Sequence, residues 1–213
     1  KSEFKMKKQI LGVITAMLFS GSYLVADIGV GITANMSSVE TSGSEKLRQS
    51  NKVTNGSHDE SVLLPEIFIE AISDIGTFGI SYIPLQEMGT KTRSDSNANG
   101  DTGSYKAEAE LENHIMLYAD LNLGEAYGQT FYVKAGVSMA TIATSEALNS
   151  GSTYGNDDVF GFTGGLGFKA DLGSNLYYKV EGTYSEYDTY NGQSTANNKV
   201  EADTDIYSGK VSL

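Results

Sequence analysis

The 213-residue sequence contains no cysteine, no tryptophan and only two prolines. Without cysteine it has neither a disulfide framework nor a thiolate metal site. Basic residues are also scarce. Lys and Arg number 15 against 27 Asp and Glu, a net charge of −12. Phosphates are repelled by such a surface, so nucleic acid is excluded as a partner. Apolar runs of the roughly 20 residues needed for a membrane-spanning helix are missing as well. What the chain has instead is 24 glycines and 13 tyrosines. Tyrosine joins an apolar body to a polar tip and suits a boundary between two media.

The amino terminus follows a separate logic. Lys7 and Lys8 precede an apolar run at 10–19, followed by Ser20, Gly21, Ser22 and Ala26. A basic start, a short apolar run and small residues make a cleavable secretory signal peptide, with cleavage after Ser22 or Ala26. Met6 reads as the start and residues 1–5 as an upstream remnant. Residues 1–26 are therefore expected to be removed, leaving 27–213 as one domain. Losing Lys1, Lys5, Lys7, Lys8 and Glu3 takes the net charge from −12 to −15.

Beyond residue 26 the pattern is alternation. In 157–190, Phe160, Phe162, Leu166, Phe168, Tyr178, Val180 and Tyr184 share one face, while Lys169, Lys179, Glu181 and Thr183 share the other. A period of two means extended strands, and the turn at Gly173-Ser174-Asn175 makes this pair a hairpin. Similar runs start near Ile28, Leu63, Phe78, Leu111, Phe131 and Tyr207, eight in all. Their connections alternate between long and short. The long ones are polar, at 41–61, 89–104, 147–156 and 191–202. An up-and-down meander with all its long loops at one end is the plan of a transmembrane β-barrel.

Charges on the polar faces support closure. Glu110, Glu112, His114, Asp120, Lys134, Lys169, Lys179, Glu181 and Lys210 are expected to form a lumen network. Each would cost several kcal/mol of desolvation in the dry core of a sandwich. In a closed eight-stranded barrel they can pair across an interior just wide enough for side chains, and closure leaves no backbone group unpaired in lipid. The seven apolar residues from Phe160 to Tyr184 are then expected to face lipid. This network reads as a plug, with a narrow ion path as the alternative.

Other motifs carry less. Asp95, Asn97, Asn99 and Asp101 match the opening of a calcium loop, but the position that needs a bidentate Glu holds Lys106. His58 and His114 are the only histidines. No serine-centred motif accompanies His114, so no enzyme, metal or cofactor is expected.

With its signal peptide and eight alternating runs, the chain resembles the small eight-stranded outer-membrane barrels of Gram-negative bacteria, the OmpA/OmpX type. The resemblance implies the outer membrane as location, outer-membrane lipid and the barrel-assembly machinery as partners, and an unknown extracellular ligand at the loops. Its members end in a strand closed by an aromatic residue, whereas this sequence stops at Leu213, so a few C-terminal residues are expected to be missing. The expected function is structural or surface-interacting, without catalysis. The alternative is a small porin-like channel for ions or small solutes.

Overall fold

The computed structural model describes residues 27–48, 50–96, 102–147, 153–195 and 197–213, and the regular structure among them is antiparallel β throughout. The expected signal peptide lies outside these residues. Nine strands form: β1 (Asp27–Lys46), β2 (Val53–Ser73), β3 (Gly76–Ile83), β4 (Gln86–Ser96), β5 (Thr102–Ala126), β6 (Gln129–Ala147), β7 (Asp157–Gly173), β8 (Leu176–Gln193) and β9 (Lys199–Ser212). Their order is β3-β2-β1-β9-β8-β7-β6-β5-β4, and β3 also pairs with β5. The sheet therefore closes on itself.

Eight alternating runs become nine strands for a local reason. β3 and β4 lie end to end along β5, β3 opposite residues 114–121 and β4 opposite residues 102–111. Between them stand Pro84 and Leu85. Proline supplies no ladder N–H, so the run breaks there while keeping a single position in the wall. Around the circumference there are eight strand positions.

The short connections are tight. Tyr127 and Gly128, with φ of 54° and 75°, and Ser174 and Asn175, with φ of 55° and 61°, have the doubly positive φ of the hairpin turn that matches strand twist. Gly173 pairs with Leu176, so the β7–β8 turn has two residues where three were expected. The long connections differ more from expectation. β1 and β2 remain paired up to Lys46 opposite Val53. β4 and β5 pair up to Ser96 opposite Thr102. Most of 41–61 and 89–104 is thus ladder continuing beyond the apolar band, not loop. Polar sequence hid this because a strand wet on both faces has no apolar alternation to reveal it.

The two faces of the wall are inverted relative to a soluble protein. Ile28, Val30, Ile32 and Met36 are exposed on the outer face of β1, while Thr33, Asn35 and Ser37 are buried on the inner one. The same inversion recurs on β2, β8 and β9. An outer surface this continuously apolar is one that lipid covers.

One bulge redistributes the expected lumen residues. The β5–β6 register shifts between Glu112 and Ile115, where Asn113 has a φ of 51°. Asn tolerates this left-handed region better than most side chains. A bulge adds one residue to a strand, and one residue reverses every face beyond it. Below it, His114, Met116, Tyr118 and Asp120 are buried on the inside. Above it Leu111 is the buried residue, and Glu110 and Glu112 lie on the opposite face to His114. These two glutamates, expected in the lumen network, are not part of it; Leu111 takes the inward face in their place.

Candidate functional site

The inside of the barrel has two zones. The lower one, toward the tight turns, is built by inward positions of β2, β5, β6, β8 and β9. Lys179 lies 3.0 Å from Glu70 and 2.9 Å from Asp120. Lys134 lies 2.9 Å from Glu181 and 3.1 Å from Asp120, the latter contact out of line for a hydrogen bond. Tyrosines complete the shell of the carboxylates. Tyr118 and Tyr177 donate to Glu70 at 2.6 and 2.8 Å, and Tyr132 donates to Glu181 at 2.8 Å. The Lys134 ammonium also stands 3.7 Å from the centre of the Tyr118 ring, a cation–π contact. One layer higher, Lys210 bonds Glu66 at 2.8 Å.

Of the expected network, the structure brings Asp120, Lys134, Lys179 and Glu181 together, and Lys210 adjoins through Glu66. Lys169 is half-buried and donates to Thr77 at 3.1 Å. His114 sits above the charges, its Nε2 2.8 Å from the Tyr187 hydroxyl. Glu66 and Glu70, outside the expected network, share the inward alternation of β2. Phe68 between them, also buried, interrupts the polar signal. Four carboxylates, Glu66, Glu70, Asp120 and Glu181, thus face four ammoniums, Lys134, Lys169, Lys179 and Lys210.

The upper zone is apolar. Leu64, Ile83, Leu111, Ala140, Val159 and Tyr190 form one buried cluster, with Val62, Met88 and Ile142 packed against it. Over part of this zone runs the segment that leads into β7. The Tyr190 hydroxyl donates to the carbonyl of Gly155 at 2.9 Å, Tyr154 donates to Glu45 on β1 at 2.7 Å, and the Thr195 amide donates to Thr153 at 2.9 Å. Residues 153–155 thereby tie the start of β7 to β8, to the β8–β9 connection and to β1. Above the apolar band, a hydrogen bond from Lys106 holds the Glu108 carboxyl below the usual range.

The wall itself has a seam. β2 pairs with β3 only from Ile67 opposite Tyr82 downward. Above that level, among the described residues, β2 pairs in a ladder with β1 alone and β4 with β5 alone. Leu64 of the apolar cluster, with Val62 and Met88 packed against it, lies on the strands flanking this seam, and Ile83 ends β3 at its foot.

The residues expected to meet lipid alternate with buried ones. Phe162, Leu166 and Tyr184 are exposed, and Phe160, Phe168, Tyr178 and Val180 are half-covered by neighbours on the outer face. Phe160 packs edge-on against Phe162 and Phe168 against Tyr178. Of the calcium-loop candidates, Asn97, Asn99 and Asp101 fall outside the described residues, and for Asp95 only the backbone is described. Among the described residues no group of three or more His, Cys, Asp or Glu is placed to hold a metal ion.

No family model matches the chain, and no curated protein matches it in sequence. Solved structures do match. The outer membrane protein AlkL in lipid bilayers is 13% identical, with a TM-score of 0.50, over 91% of this chain and 92% of that one. OprG of Pseudomonas aeruginosa is 13% identical, with a TM-score of 0.48, over 86% and 94%. The neisserial surface protein NspA is 12% identical, with a TM-score of 0.44, over 88% and 98%. With its closed wall, apolar exterior and polar interior, the chain has the up-and-down fold of the small outer-membrane β-barrels.

Proposed function

We propose that this chain is a non-enzymatic barrel of a Gram-negative outer membrane, closed to ions by its own side chains and acting at the cell surface through its extracellular ladders. The observation that carries this reading is the lower lumen. Five buried charges, Glu70, Asp120, Lys134, Lys179 and Glu181, pair across an interior that eight strand positions leave narrow. An ion entering would have to part these pairs in a medium of low dielectric. Bulk outer-membrane lipid and the barrel-assembly machinery are the partners this reading requires, with an extracellular ligand at the ladders. Planar-bilayer recording tests it. The purified barrel is expected to give no steady conductance; a steady conductance that Lys179→Glu abolishes would overturn the plug.

One observation favours the channel alternative in a restricted form. The seam between β2 and β4 opens beside an apolar upper lumen, which supports passage of small apolar solutes sideways, above the plug, and not of ions through it. Uptake of an apolar fluorophore by vesicles containing the barrel tests this. Leu64→Asp is expected to slow it at least several-fold, and an unchanged rate would remove the reading.

A further inference from the structure

The extracellular ladder of β1, β2 and β9 ends in a corner of opposite charge to the wall below it. β1 pairs with β9 without a register shift from Thr33 to Lys46, so its outward positions continue past Met36 through Glu40, Ser42 and Ser44 to Lys46. Lys46 stands directly opposite Lys199. The turn beyond adds two more cations. Leu47 donates its amide to the carbonyl of Lys52 at 2.9 Å, and the Arg48 amide donates to Asn198 Oδ1 at 3.1 Å. All four basic residues are exposed. Among the described residues no carboxylate pairs with any of them, whereas Lys106 on β5 is paired with Glu108. Like charges directly opposite in a ladder oppose pairing; a bound anion would turn that repulsion into attraction. In a chain of net charge −12 this corner is the exception.

Just below it, on the same outer face, lies a dish of about 630 Å³. Ser42 and Ser44 of β1, Asn55 and Ser57 of β2, and Glu201 and Asp203 of β9 line it. Carboxylates accept hydrogen bonds from hydroxyls, and serine and asparagine both donate and accept. Asp203 already accepts from Thr189 at 2.5 Å, which leaves Glu201 as the carboxylate open to a ligand. A molecule that fills the dish and reaches the corner must therefore carry many hydroxyls together with anionic groups. An acidic peptide has the anions but few hydroxyls. The position also selects the source. By strand rise and tilt, Lys46 stands about 15 Å above the level of Glu40 and Asp205, and those carboxylates repel the phosphates of the barrel's own lipid.

We infer that this corner and dish bind an acidic polysaccharide from the outer medium, its sulfate or phosphate groups on Lys46 and Lys199 and its hydroxyls on Glu201 and the serines. The inference rests on the surface role proposed above and names the ligand class for it. Binding in micelles is read independently of conductance, so the plug can fail while the site holds, and the reverse.

The test uses the full chain refolded in detergent micelles and a fluorescein-labelled dextran sulfate oligosaccharide, read by anisotropy. Binding is expected to be at least tenfold tighter than that of neutral dextran or of poly-glutamate of matching charge; parity with either would overturn the inference. Lys199→Glu should weaken it at least fivefold and Lys106→Glu, the same change of charge elsewhere on the ladders, less than twofold. Glu201→Ala separates recognition from adsorption. It removes a carboxylate that repels a polyanion, so attraction by charge alone would tighten binding, whereas loss of a sugar-hydroxyl acceptor should weaken it several-fold. Equal losses from the two lysine variants, or tighter binding by Glu201→Ala, would overturn the site. So would displacement of the probe by short-chain lipopolysaccharide as readily as by unlabelled dextran sulfate, which would make the membrane's own lipid the ligand.

Discussion

Carboxylates stand in two groups on opposite sides of the same wall. Inside, Glu70, Asp120 and Glu181 each lie within 3.1 Å of a lysine nitrogen, and Glu66 has Lys210. Outside, at the top of the apolar band, Asp59, Glu40, Asp205 and Glu186 run side by side across four strands. Asp59 is opposite Glu40, Glu40 opposite Asp205, and Asp205 opposite Glu186. No lysine stands in that row. The difference is one of solvent. A buried charge must find its counter-ion or lose several kcal/mol of solvation, whereas water and salt screen neighbouring carboxylates at the surface to a small residual repulsion. Strand alternation alone cannot separate these cases, since both rows are simply acids in strands.

The comparison can be broken from either side. The largest effect is expected inside. Lys179→Met removes the ammonium shared by Glu70 and Asp120 and should cost about 3–5 kcal/mol of folding free energy, measured by urea-dependent refolding into lipid vesicles. A cost below about 1 kcal/mol would mean that these carboxylates do not depend on the pairing. The next effect tests depth on the outer face. Val180→Arg, in the middle of the β8 apolar run, should cost about 2–4 kcal/mol, while Glu186→Arg at the band's upper edge should cost less than about 1 kcal/mol. Equal costs would misplace the membrane boundary. The smallest effect runs in the opposite direction. Glu40→Gln relieves two cross-strand repulsions and should stabilise the barrel by about 0.2–1 kcal/mol at low salt, with the gain fading as salt is added.

Much of the lower barrel was legible in advance because each strand there keeps strict period two. Phe162, Leu166 and Tyr184 lie outside and Lys179 and Glu181 inside on β8 and β7 as the alternation reads them. Legibility ends where one residue is inserted. The bulge at Asn113 sends Glu110 and Glu112 to the other face and brings Leu111 in, and no residue pattern around Asn113 announces it. The split between β3 and β4 is easier in retrospect, because Pro84 stands at the break. Glu66 and Glu70 were visible on the inward face, but their lysines come from β8 and β9, more than a hundred residues away in the chain.

By itself the sequence determined the fold class, the number of wall positions and the sense of the two faces, because these follow from local alternation and from the lengths of the connections. Only the tertiary structure decided which charges share a layer, that the upper lumen is apolar, and that β2 and β4 leave a seam. Those depend on register between strands distant in sequence, and a shift of one residue in register reverses what each side chain meets.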